Sequence, residues 1–153
     1  MTITIYQVDA FTDTLFGGNP AAVIPLSDWI DDSLMQKLAM ENNLSETVFF
    51  VRSNTPDYDY EIRWFTPVLE INLCGHATLA SAFVLFNKLN YRNDIIRFNC
   101  KSGRLHVTKQ NDIFQMDFPA WKPEQVKDDY SPVVKALGDI PIVGIYKHRD
   151  VLI

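Results

Sequence analysis

The chain has 153 residues, of which 47% are hydrophobic, 12% aromatic and 22% charged. That aromatic load excludes a disordered chain, and the length suits one domain that buries a core without disulfides or metals. Fourteen basic against nineteen acidic residues give a net charge of −5, which argues against nucleic acid and anionic membrane as partners, because both need a basic face.

Residues 3–8 alternate as a strand, with Ile3, Ile5 and Gln7 on one face. Gly17-Gly18-Asn19-Pro20 has loop chemistry, and Ala21–Leu26 is a short apolar run that predicts a buried strand. Asp31 or Asp32 can cap a helix that carries Leu34, Met35, Leu38 and Ala39 on one face, and Asn42-Asn43 ends it. Strands follow at Glu46–Arg52 and Asp59–Thr66, both rich in β-formers. His76–Leu89 predicts a helix that is apolar nearly all round, so it is buried, most simply wrapped by sheet. Ile95–Cys100, Arg104–Lys109 and Ile113–Phe118 predict a meander with turns at Ser102-Gly103 and Gln110–Asp112. A further strand is expected at 142–146, and residues 151–153 read as the first half of another.

No stretch of 18 apolar residues occurs, and the first ten residues lack the basic flank and apolar core of an export signal. The expectation is a cytoplasmic protein with free thiols at Cys74 and Cys100.

Few residues carry chemistry. The histidines at 76, 106 and 148 have no partner three or four residues away, so no metal site is expected. Gly17-Gly18-Asn19-Pro20 matches no phosphate-loop pattern. Cys74 precedes Gly75 and His76 at the predicted helix N-terminus. Such a thiol is either activated as a thiolate or packed as a buried cysteine under the helix. Gly75 and His76 bring orphan N–H groups to the positive end of the helix dipole, where an anion is favoured. Glu46 opens an apolar strand, where a carboxylate would be desolvated for proton transfer; the alternative is an exposed loop glutamate.

Three ordered motifs then point to one family. Asp9-Ala10-Phe11-Thr12 with Gly17-Gly18-Asn19-Pro20-Ala21-Ala22-Val23 resembles the opening of the phenazine-biosynthesis (PhzF-like) family. Asn43-Leu44-Ser45-Glu46-Thr47-Val48-Phe49 resembles its second motif. Arg63-Trp64-Phe65-Thr66-Pro67 followed by Leu73-Cys74-Gly75-His76-Ala77-Thr78 resembles its third.

The resemblance implies an α+β fold related to diaminopimelate epimerase. Each of two domains is a mostly antiparallel sheet rolled around a long central helix, with the active site in the cleft between them. Residues 1–153 would be the first domain, with 147–153 starting the crossover toward a second that is missing. The family role of proton shuttle falls to Glu46. His76 helps hold the substrate, Gly75 offers its N–H to a substrate carboxylate, and Asn19 belongs to a loop near the site. Cys74 stands where fold relatives that racemise amino acids carry one of two cysteines.

The expected activity is cofactor-independent isomerisation or epimerisation of a small carboxylate-bearing metabolite, in a homodimer, provided the second half of the cleft is supplied. The alternatives are a non-catalytic ligand-binding or dimerising domain, and a cysteine-dependent amino-acid racemase.

Overall fold

In a computed structural model of the chain, residues 2–118, 122–126, 131–138, 141, 144–148 and 151–152 are described. Strand β1 (Tyr6–Ala10) ends at Phe11, whose φ of 63° turns the chain out of the sheet. It pairs antiparallel with β2 (Asn19–Leu26), Ala10 opposite Asn19. Helix α1 (Asp32–Asn42) starts at Asp31, whose carboxylate accepts the Ser33 N–H at 3.1 Å, and stops at Asn43 in the left-handed conformation. Strand β3 (Glu46–Arg52) then runs parallel to β2, with Ala21 opposite Glu46 and Leu26 opposite Val51.

The first unit is completed by β4 (Tyr60–Phe65), β5 (Glu70–Ile71), α2 (Gly75–Asn87), β6 (Ile95–Cys100), β7 (Gly103–Gln110) and β8 (Ile113–Asp117). The strand order is β1-β2-β3-β4-β6-β7-β8, with β5 on β4. Only β2–β3 and β4–β6 are parallel in this sheet; the other neighbours are antiparallel. Helix α2 packs against β1, β2 and β3 and also against β8. A helix that touches both edge strands is held inside a curled sheet, as its all-round apolar sequence predicts.

The sheet is buried on two faces. Inward, Val23, Val48, Phe50, Ile62 and Trp64 pack with Ala77, Ala80, Val84 and Leu85 of α2. Outward, Ile24, Phe49 and Phe65 pack against Met35 and Ala39 of α1. The small residues of α2 let the strands come close, and each large side chain so buried contributes roughly 1.5–3 kcal/mol. Of the α1 face expected from sequence, Met35 and Ala39 are buried, whereas Leu34 is 39% exposed.

The packing divides the chain into Met1–Phe118 and Pro119–Ile153. The second unit contains β9 (Glu124–Gln125), α3 (Ser131–Ala136), β10 (Tyr146–His148) and β11 (Val151–Leu152), with sheet order β11-β10-β9. Several boundaries differ from expectation by one to three residues; α2, for example, spans Gly75–Asn87 rather than His76–Leu89. The first strand begins at Tyr6 rather than residue 3, and Asn19 and Pro20 belong to β2 rather than to a loop. Pro20 is accommodated because the parallel ladder with β3 begins only at Ala21. Of the strand expected at 142–146, residues 142–143 lie outside the described residues and Tyr146 opens β10. Ile153 also lies outside them.

Candidate active site

The parallel ladder between β2 and β3 aligns the starts of the two strands, and the N-terminus of α2 meets them. Ser45 therefore lies against Asn19 and Pro20, its hydroxyl donating to Asn19 Oδ1 at 3.1 Å, with the Pro20 carbonyl at 3.4 Å. The Glu46 carboxylate reaches His76 from the other element: Oε2 to Nε2 is 3.1 Å. Ser45 Oγ is 3.4 Å from the same nitrogen. On the opposite side of the ring, Nδ1 is 3.4 Å from Cys74 Sγ.

The side chains differ in what they can still do. Glu46 Oε2 is buried, and no donor among the described residues is aligned with it. Its approach to Nε2 is thus close but off-axis, which leaves its lone pairs available for a proton. Burial holds His76 below its ordinary value, against the opposing pull of the Glu46 carboxylate and the Pro20 carbonyl. The imidazole is therefore neutral at pH 7.

Cys74 is the N-cap of α2 and is 7% exposed. Burial pushes its thiol up to about 12, and the Glu46 carboxylate adds to the effect. Desolvation thus opposes the thiolate that a helix N-terminus beside an imidazole suggests, and it outweighs the dipole. In the structure Cys74 packs as a buried cysteine under the helix. Cys100 is also a free thiol, in β6, with Sγ donating to the Gly103 carbonyl at 3.1 Å.

Gly75 is the first residue of α2, where the backbone N–H has no intrahelical acceptor. Its backbone is partly exposed, with only Phe118 Cζ within 4 Å of where a side chain would begin. Thr78 locks the turn beneath by donating its hydroxyl to the Cys74 carbonyl at 2.6 Å. Two clefts of about 480 and 490 Å³ open elsewhere in this unit, and neither is lined by Glu46, Cys74 or His76.

The structure thus brings together all five residues singled out from sequence: Asn19, Glu46, Cys74, Gly75 and His76. It adds Ser45 and the Pro20 carbonyl, which close the ring between β2, β3 and α2. Ser45 stands inside the Asn43–Phe49 motif, but only the parallel pairing of β2 and β3 shows what it touches.

Glu46, Cys74 and His76 also present donor atoms within 4.8 Å of one another, a spacing that could hold a cation. An ion shared by all three would have to expel the thiol proton and take one ring nitrogen from its present partner. As arranged, with opposite ring nitrogens turned to different partners, the donors suit hydrogen bonding and proton transfer.

Comparison with known proteins bears on the family and the fold. Residues 8–139 match the model of the phenazine biosynthesis-like protein family. An uncharacterized isomerase of Pseudomonas aeruginosa is 55% identical over 153 residues, all of this chain and 57% of the relative. The phenazine biosynthesis-like domain-containing protein 1 of Mus musculus is 42% identical, over 98% of this chain and 54% of the relative. The crystal structure of a PhzF family protein from Enterococcus faecalis superposes with a TM-score of 0.86 at 45% identity, covering 99% of this chain and 56% of that one. A hydroxyproline epimerase from Agrobacterium vitis has a TM-score of 0.56 at 10% identity over 71% of this chain and 38% of that one, a likeness of fold alone. The chain spans about half the length of the curated relatives it matches.

Proposed function

The chain belongs to the phenazine biosynthesis-like family, and on that premise we propose that it carries the proton-transfer wall of a cofactor-independent isomerase or epimerase acting on a small carboxylate-bearing metabolite. The observation that supports this most is Glu46 Oε2: a buried carboxylate oxygen, close to a neutral imidazole, with no aligned donor among the described residues. Such an oxygen takes a proton from a carbon acid and returns it to another position, which moves a double bond or inverts a centre. His76, neutral and fixed between two elements, orients polar groups beside it. The Gly75 N–H at the helix N-terminus holds the substrate carboxylate, where the dipole favours negative charge.

The opposite wall of the cleft comes from the length that the relatives have beyond this chain, or from a second copy in a homodimer. Light scattering at about 100 micromolar separates these two sources, since a monomer removes the second. The protein works in the cytoplasm in this reading. For the thiol-racemase alternative, burial disfavours the thiolate of Cys74, which leaves it the proton-donor role of such a pair rather than the base.

The test is solvent-proton exchange in heavy water. Small carboxylic metabolites are incubated with the protein and with Glu46→Gln, and deuterium uptake at carbon is followed by NMR. Uptake with the native protein that falls at least about 100-fold in Glu46→Gln, the order expected for a positioned acid–base group, supports the proposal. Uptake that survives in Glu46→Gln overturns the assignment of Glu46. Ligand-induced stabilisation without any uptake favours a non-catalytic binding module, a reading that the half-length of the chain also suits.

A further inference from the structure

We infer that Cys74 is a positioning residue that donates its S–H to His76 Nδ1 and so locks the imidazole in the tautomer with its proton on Nε2, directing one hydrogen-bond chain from Cys74 through His76 and Ser45 to Asn19. The inference rests on the proton-transfer reading of Glu46 for its purpose, but its geometry stands apart from it.

The direction of the chain follows from what surrounds each ring nitrogen. Around Nε2 lie acceptors, Glu46 Oε2 at 3.1 Å and Ser45 Oγ at 3.4 Å, and the Pro20 carbonyl also accepts from the ring. Ser45 has a single hydroxyl hydrogen, and its shortest contact gives that hydrogen to Asn19 Oδ1 at 3.1 Å. Its oxygen is left as an acceptor toward the ring. A bare Nε2 would set lone pairs against the carboxylate and the hydroxyl oxygen, so Nε2 carries the proton.

Nδ1 is then an acceptor, and its hydrogen-bond partner is Cys74 Sγ at 3.4 Å. A thiol donates weakly but accepts still more weakly, so the pair is satisfied in one sense only. Burial keeps the proton on sulfur, which makes the donor permanent across the neutral range. The Glu46 carboxylate also lies near Sγ, within 4.8 Å, and it is a second acceptor for the S–H as well as a charge that favours the protonated thiol; with Nε2 protonated, Nδ1 has a donor only when the S–H turns to it. The His76 N–H so fixed lies beside Glu46 without closing an aligned bond to it. That stabilises negative charge near Oε2 while leaving its lone pairs open to a substrate proton.

Long-range ¹H–¹⁵N correlation NMR on the labelled native protein reads this directly, with the His76 signals assigned by their loss in His76→Gln. The expected result is a protonated Nε2 and a bare, hydrogen-bonded Nδ1. In Cys74→Ala the Nδ1 resonance moves toward that of a nitrogen without a donor, and in Cys74→Ser, whose hydroxyl can donate, it returns. A proton on Nδ1 in the native protein overturns the inference, and so does an Nδ1 resonance that Cys74→Ala leaves in place. Should Cys74→Ala fail to fold, the native tautomer and its persistence in Cys74→Ser decide the matter. The outcome is separable from the proton-transfer reading: loss of carbon exchange with this tautomer intact removes only that reading, whereas exchange with a bare Nε2 removes only this one.

Discussion

Glu46 and His76 are thirty residues apart in sequence, yet Oε2 and Nε2 stand 3.1 Å apart. Each is near the N-terminal end of its element, Glu46 opening β3 and His76 in the first turn of α2. The curled sheet makes their meeting unavoidable. The parallel β2–β3 ladder brings the starts of two strands to the same end, and α2 enters the sheath there. The site is therefore a product of topology, and disturbances of the strand starts reach it.

Gly18 provides the first check. It has a φ of +67°, and a Cβ there would lie 2.1 Å from the Ala10 carbonyl oxygen. Gly18→Ala must either distort the β1–β2 connection or push Asn19 away from Ser45. The expected cost is about 1–3 kcal/mol, read as a lower urea midpoint. Gly75→Ala is the control, since its Cβ would meet Phe118 Cζ at an ordinary 3.5 Å. Equal midpoints for native protein and Gly18→Ala would contradict the close approach.

How far the residues alone foretell this arrangement depends on the kind of signal. Glu46–Arg52 is readable as a strand to the residue, because Thr47, Val48, Phe49, Phe50 and Val51 are consecutive β-formers bounded by polar residues. The buried helix is readable because Ala, Leu, Val and Phe leave α2 little polar face. Asn19 and Pro20 mislead, since local turn chemistry is overridden by pairing with Ala10 and Asp9. The short strand Glu70–Ile71 is invisible because two residues have no periodicity. At the site, Glu46 and His76 emerge from motifs, but the role of Ser45 and the protonation of Cys74 depend on burial and register, which no local pattern encodes.

The depressed His76 makes stability depend on pH in a definite direction. Its folded pKa lies below the unfolded value near 6.5, so the unfolded chain binds the extra proton first. The contribution is fully present above about pH 6.5 and is lost as pH falls toward the folded value. Urea unfolding at pH 7.5 and 5.5 should show the native protein weakening at the lower pH. His76→Gln should flatten that part of the dependence. The same loss in both proteins would assign the effect to other groups.

The state of Cys74 predicts poor reactivity. With the thiol pushed up to about 12 and 7% exposed, almost no thiolate exists at pH 7.5. Iodoacetamide should label folded Cys74 far more slowly than the unfolded chain, by at least about 100-fold on thiolate fraction and access together. Peptide mass spectrometry over a time course distinguishes Cys74 from Cys100. Rapid labelling of folded Cys74 would restore the activated thiol and with it the base role of Cys74 in the racemase alternative.

Gly75→Pro isolates the role given to a backbone N–H. Proline is tolerated at the first position of a helix, where the N–H has no internal acceptor and the ring suits the required φ. The preceding Cys74 has φ −144° and ψ 120°, the extended conformation that a following proline demands. The variant should therefore keep the native circular dichroism while losing one donor to the substrate carboxylate. A hydrogen bond to a charged group is worth about 1.5–3 kcal/mol, so carboxylate ligands should bind roughly 10- to 150-fold more weakly. Titration calorimetry with a ligand identified by carbon exchange measures this. Unchanged affinity in a folded Gly75→Pro protein would move the carboxylate away from the start of α2, and Glu46 would then face a substrate held by other groups.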